Sequence, residues 1–202
     1  MTPAQLIAVQ KLAPLAVAIE KTTQCPAWLM IGQVCLESGY LLHEAGANNF
    51  LGVKWFPGVF GFRLCDTWEV FTDAQLQEFL KSTNVPEQPS RRAAVAAGPS
   101  NANGSRPYKC KDYFASFASL ADCLQWRANR FHGGINLPWV LRYLKDPGSR
   151  DSKLKLAHDV VALGHYATAD PDVYAASVVG IGDSIEARFA INAALNPGKV
   201  VS

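Results

Sequence analysis

A mainly α fold of the α+β class, with a small β-hairpin lobe and a long loop inserted in it, is what the sequence predicts. Helical periodicity dominates the 202 residues. One stretch breaks it: residues 48–70, "NNFLGVKWFPGVFGFRLCDTWEV", are rich in glycine, aromatics and short alternations, the pattern of turns and a hairpin. A strand-like "YKCKDYFASF" then returns after a segment full of Pro, Ser, Asn and Gly. With 49% hydrophobic and 18% charged residues, the chain has material for one well-buried core. A single domain over 1–202 is expected, with an insertion at about 70–109 in the hairpin lobe.

The elements follow in order. "MTPAQLIAVQKLAPLAVAIEK" reads as an amphipathic helix, bent or broken near Pro14. Pro26 suits a first helical position and opens "PAWLMIGQVCLESG", which Gly39 stops. After the first strand, "DAQLQEFLK" (Asp73 to Lys81) is helical, and 82–107 is a loop by composition. Helices are expected at about 119–131, 137–145, 151–165 and 171–195. The last has Asp170 as N-cap and Pro171 in its first turn.

Charge and cysteine usage exclude several classes. Nineteen basic and 17 acidic residues give a net charge of +2, and no basic block suggests a nucleic-acid partner. No apolar run reaches the roughly 18 residues of a membrane span. The N-terminus lacks the basic n-region of a secretory signal, and Gln10, Lys11 and Pro14 interrupt its apolar run. Five cysteines (Cys25, Cys35, Cys65, Cys110, Cys123) leave at least one thiol free in a monomer, and none has metal-site or C-x-x-C spacing. Cys65 and Cys110 bracket the insertion. Paired, they would close a long loop worth roughly 4 kcal/mol on the chain-entropy model; unpaired, they are small core residues.

Three chemistries compete. "HEAGA" at His43 begins like H-E-x-x-H but lacks the second histidine. Cys35 with His43, or Cys123 with His132, has the residue types of a thiol nucleophile but no placed orienter, and Cys35 lies on the apolar pattern. The third is a pair of carboxylates. Glycoside hydrolysis needs an acid that holds its proton near neutral pH and a second group to manage the cationic transition state. Glu37 stands at a helix end beside an aromatic-rich lobe, and Glu69 lies between Trp68 and Val70 on the hairpin. Each is equally compatible with an ordinary solvated position.

Longer motifs bear on that choice. "QVCLESG" followed by "NNFLGVK" (Gln33, Leu36, Glu37, Ser38, Gly39; Asn48, Asn49, Phe50, Gly52, Val53, Lys54) resembles the start of the glucosaminidase domain of glycoside hydrolase family 73, the flagellar-muramidase and autolysin group. "DYFASFASLADCLQWRANRF" and "GHYATADPDVYAASVV" resemble two further blocks of that family, in the expected order. The resemblance spans about residues 27–69 and 110–180.

The resemblance implies a lysozyme-like fold and hydrolysis of β-1,4 bonds in peptidoglycan glycan strands, usually on the reducing side of N-acetylglucosamine. It implies no cofactor and no metal. Glu37 matches the family's general acid, Glu69 the hairpin carboxylate, and Tyr166 the signature tyrosine lining the cleft. Tyr174 joins Tyr166, with packing of the last helices as the alternative for both. Phe50, Trp55 and Trp68 are candidates to stack on sugars, or to form a small lobe core. Asn49 is a candidate substrate contact, or a residue that orders the turn.

The chain departs from the family in having Tyr40–Leu41 where Trp-Gly is common. It also carries the insertion after Glu69, and one residue more in "YATADP". A muramidase or lytic transglycosylase and a non-catalytic glycan-binding module are the competing readings. Without a visible export signal, the expected settings are phage-type release, injection as an antibacterial effector, for example by type VI secretion, or export on a signal already removed from the chain. An effector implies an immunity protein that plugs the cleft.

Overall fold

The computed structural model describes residues 1–58, 61–81, 93–132, 137–162 and 170–195, with side chains for all of these except 131, 132, 137 and 187–195. The chain divides into two compact units: a helical one, residues 1–42 and 124 onward, and a sheet unit, residues 43–123.

The helical unit is built around α2 (Ala27–Ser38), of whose 12 residues all but Leu36 and Glu37 are buried. A helix apolar on every side belongs at the centre of a bundle, and the two exposed positions at its end are where chemistry can meet solvent. Gly39 stops it in the left-handed region (φ 59°), as the sequence predicts. Pro26 is the N-cap of α2, one residue outside the expected first helical position.

α1 (Pro3–Thr23) opens on a capping box between Thr2 and Gln5 and runs unbroken through Pro14. Of the expected bend or break, the break is absent. Val9, Leu12, Ala16 and Ile19 bury a stripe on both sides of the proline, and their packing outweighs one lost backbone hydrogen bond.

The remaining helices are α4 (Leu120–His132), α5 (Leu137–Tyr143), α6 (Arg150–Ala162) and α7 (Pro171–Leu195), close to their expected spans. Asp170 caps α7 through Oδ1, which accepts from the N–H groups of Asp172 and Val173. Gly32 sets the approach of α2 to α7: a Cβ there would lie 2.7 Å from the Val178 carbonyl oxygen. Among the described residues, no helix is long and apolar enough to cross a membrane.

In the sheet unit, β1 (Gly61–Phe71) pairs antiparallel with β3 (Arg106–Ser116), placing Trp68 opposite Lys109 and Glu69 opposite Tyr108. The helix α3 (Asp73–Lys81) has the bounds read from the sequence. The segment read as a loop instead contains β2 (Ala93–Ala96), which pairs with the other edge of β3, giving the order β1-β3-β2. "AAVA" carries no alternation of apolar and polar residues, so only its distant partner reveals it.

All five cysteines are free thiols. Cys65 faces Asp112, whereas Cys110 faces Thr67. The diagonal between them is roughly 7–8 Å in an antiparallel sheet, too long for a disulfide.

Candidate active site

Glu37 is the last-turn carboxylate of α2. Its residue surface is exposed, yet its carboxyl group is part-buried against the Tyr174 hydroxyl. Burial pushes its pKa above the ordinary range, against a hydrogen bond from Tyr174 and the charge of Arg127, which pull it down.

Those opposing groups form a chain. Arg127 Nε donates to Gln33 Oε1 at 3.1 Å, Gln33 Nε2 donates to Tyr174 Oη at 3.4 Å, and Tyr174 O–H donates to Glu37 Oε1 at 2.7 Å. The direction is dictated by Arg127, which can only donate. Gln33 must therefore turn its oxygen to the guanidinium and its amide nitrogen to the phenol. Tyr174 accepts from that nitrogen and offers its own proton to the carboxylate. Gln33, Arg127 and Tyr174 are 0%, 2% and 5% exposed, so the chain is dry up to its last member.

Local sequence places these groups. Gln33 and Glu37 are one helical turn apart on α2 and share a face. Tyr174 lies in the first turn of α7, one turn before Val178, whose carbonyl packs on Gly32. The backbone beyond Glu37 is unusual: Gly39, Tyr40 and Leu41 all have φ near 60°. Ser38 holds this turn, its hydroxyl donating to Val34 O at 2.6 Å and accepting from Leu41 N at 2.8 Å. Left-handed Tyr and Leu cost of order 1–3 kcal/mol each, a strain that functional sites tolerate.

Glu69 has a different setting within the sheet unit. Lys54 Nζ lies 2.5 Å from Glu69 and 3.1 Å from Asp112, and also sits 4.1 Å over the Phe114 ring. Asp112 is buried and accepts from the Tyr113 N–H at 2.8 Å. Alternation along β1 puts Glu69 on the face that carries Thr67, and Trp68 on the opposite face with Asp66. Glu69 and Trp68 therefore cannot serve one sugar-binding face together.

The other expected site residues separate into distinct groups. Tyr174 meets Glu37 directly. Tyr166 lies outside the described residues. Asn49 is fully buried. Its Nδ2 donates to Val53 O and Ala115 O, and its Oδ1 accepts from Val53 N. It orders the loop and presents no amide to solvent, so the substrate contact expected of it has no surface to act from. Phe50 is half-buried, and Trp55 packs edge-on to Phe62 at 5.8 Å in a small aromatic cluster with Tyr113.

The thiol reading weakens: Cys35 and Cys123 are buried, and burial pushes them up to about 12 and about 11, so neither offers a thiolate near neutral pH. The His132 side chain lies outside those described. Among the described residues, no group of three or more His, Cys, Asp or Glu is placed to hold a metal ion.

Arg127, Lys54 and Asp112 did not emerge as site residues from the sequence. Gln33 carried a signal, as a polar residue one turn before Glu37 in an apolar helix. Arg127 carried none.

No family model matches the chain, and no curated protein matches it. Solved structures do. The catalytic domain of the autolysin Auto from Listeria monocytogenes superposes with a TM-score of 0.60 at 17% identity, over 92% of this chain and 86% of that one. A peptidoglycan hydrolase mutant from Sphingomonas sp. A1 gives 0.55 at 17% identity, over 91% and 97%. The glycoside hydrolase domain of FlgJ from Salmonella typhimurium gives 0.53 at 14% identity, over 96% of both chains. At such identities the likeness shows the fold: mainly α, lysozyme-like, with a small antiparallel sheet.

Proposed function

We propose that this chain hydrolyses β-1,4 glycosidic bonds in peptidoglycan glycan strands, with Glu37 as the general acid. The observation that carries the reading is a carboxyl group that burial biases toward its protonated form, pinned on one oxygen by a buried donor chain. Support comes from the fold shared with an autolysin catalytic domain, a peptidoglycan hydrolase and a glycoside hydrolase domain. The motifs around Glu37 support it as well.

The geometry suits proton donation. Tyr174 occupies Oε1, so the proton of the acid form rests on Oε2, free to pass to the leaving glycosidic oxygen. As the bond breaks, the new carboxylate receives the Tyr174 hydrogen bond and feels the Arg127 charge behind it. Burial favours the proton at rest, and the donor chain favours the anion once it has gone.

Glu69 is the proposed second group, activating water or stabilising positive charge at the anomeric carbon. Its 2.5 Å ion pair with Lys54 favours a second reading, in which the substrate's own N-acetyl group attacks and Glu69 acts only as a fixed charge.

Cleavage on the reducing side of N-acetylglucosamine is the proposed specificity. Mass spectrometry of a peptidoglycan digest tests it. Reducing N-acetylglucosamine ends support it; reducing N-acetylmuramic acid or anhydro ends move the chain to the muramidase or lytic transglycosylase class. Binding without released sugar would end the hydrolase reading in favour of a glycan-binding module.

The proposed place of action is the periplasm or cell wall. Delivery as an antibacterial effector, matched by an immunity protein that occludes the cleft, rests on sequence considerations alone. Harmless expression directed to the periplasm would end it.

A further inference from the structure

The face of the sheet that carries Trp68, opposite Glu69, has a composition that neither folding nor the reaction explains. The pairing register aligns two rows across the three strands. One reads Trp68, Lys109, Val95; the next reads Asp66, Lys111, Ala93. Trp68 is 62% exposed and Val95 68% exposed. A tryptophan so open adds little to stability, and a large exposed apolar residue framed by charges marks a contact surface. The Lys109 ammonium lies 5.2 Å from the Trp68 ring centroid, and Lys111 pairs with Asp66 at 3.5 Å. Together these residues line a concavity of about 470 Å³, within the size range of small-ligand sites.

We propose that this face is a second glycan-binding site, separate from the site of chemistry, that holds a carboxylate-bearing sugar chain. The identity of the polymer as peptidoglycan rests on the reading above. A pyranose ring presents an apolar C–H face with polar groups at its rim. Trp68 offers the matching flat surface at one edge, and Val95 and Ala93 present a second apolar strip two strand spacings away, about 10 Å, at the other. Lys109 and Lys111 stand on the central strand between them, against one carboxylate, Asp66, leaving the patch with net positive charge for the acidic groups of the glycan and its peptides. Two lysines and an aspartate are a poor track for a phosphate backbone, which disfavours a nucleic-acid occupant.

The test is sedimentation with insoluble peptidoglycan in a Glu37→Gln background, so that the polymer survives. Adding Trp68→Ala should weaken retention about tenfold, while Trp68→Tyr, which keeps a flat ring, should retain most of it. Lys109→Ala with Lys111→Ala should weaken retention about threefold and flatten its dependence on salt. Thermal melting confirms that each variant folds, as the exposure of these positions leads one to expect.

Unchanged retention on Trp68→Ala overturns the site. So does the absence of any retention in the Glu37→Gln parent, or displacement by a single-stranded oligonucleotide but not by soluble glycan fragments. The two readings fail separately. If wild type releases no sugar but Trp68→Ala still loses retention, the hydrolase reading falls and the site stands. Normal release with unchanged Trp68→Ala retention sinks the site alone.

Discussion

Glu37 and Glu69 are the same residue type in opposite surroundings. Glu37 is crowded by protein, and its direct partner is a neutral phenol, with the cation Arg127 held two links behind. Glu69 meets an ammonium group directly, and that ammonium is shared with a buried second acid. The first arrangement favours a proton that can be kept and then given away. The second ties the carboxylate into an ion pair. Two carboxylates thus meet different environments, which is the basis of the different work proposed for them, and the contrast can be broken from either side.

The largest effect is expected from Glu37→Gln, which keeps the shape and removes the proposed proton donor. Turnover of purified peptidoglycan should fall by about 10²–10⁴-fold, the usual worth of general acid catalysis, as read from the rate of reducing-end release.

Lys54→Met breaks the other side. It leaves Glu69 and the buried Asp112 without their shared cation, and chemical denaturation should show a loss of about 1–3 kcal/mol, less than for a fully buried pair because Lys54 is partly exposed.

Gly32→Ala tests how α2 and α7 are held together. The new methyl would press on the Val178 carbonyl, costing about 1–3 kcal/mol in the same assay. It should also lower activity, because Tyr174 reaches Glu37 from α7.

Tyr174→Phe sharpens the comparison most gently. It should reduce kcat about tenfold, as expected for one hydrogen bond to a charged group. Because the Tyr174 hydrogen bond lowers the Glu37 pKa, its loss lets the acid keep its proton to higher pH. The alkaline limb of the pH–rate profile should move upward.

Much of this was legible in the sequence, for physical reasons. Helix ends write themselves locally: Gly39 and Asp170 sit at the caps expected of them, and α3 spans its predicted residues. The place of Glu37 was visible as a charge at the end of an apolar helix, and the motifs around it make it the residue proposed as the acid. What escaped depends on distant partners. Arg127 and Gln33 are 94 residues apart, and Tyr174 is 137 from Glu37. The strand β2 exists only because β3 pairs with it. Helix packing across Pro14 overrode a local rule, and Asn49 proved to be occupied with its own loop and the end of β3.

The protonation of Glu37 can be watched directly by carbon-13 NMR titration of its side-chain carboxyl. The expected midpoint lies above the ordinary glutamate value of about 4.3, with a further rise in Tyr174→Phe. The folded state should lose stability relative to Glu37→Gln as pH rises through that midpoint, since a raised acid favours folding only while protonated. A midpoint at or below the ordinary value, unmoved by Tyr174→Phe, would contradict the account.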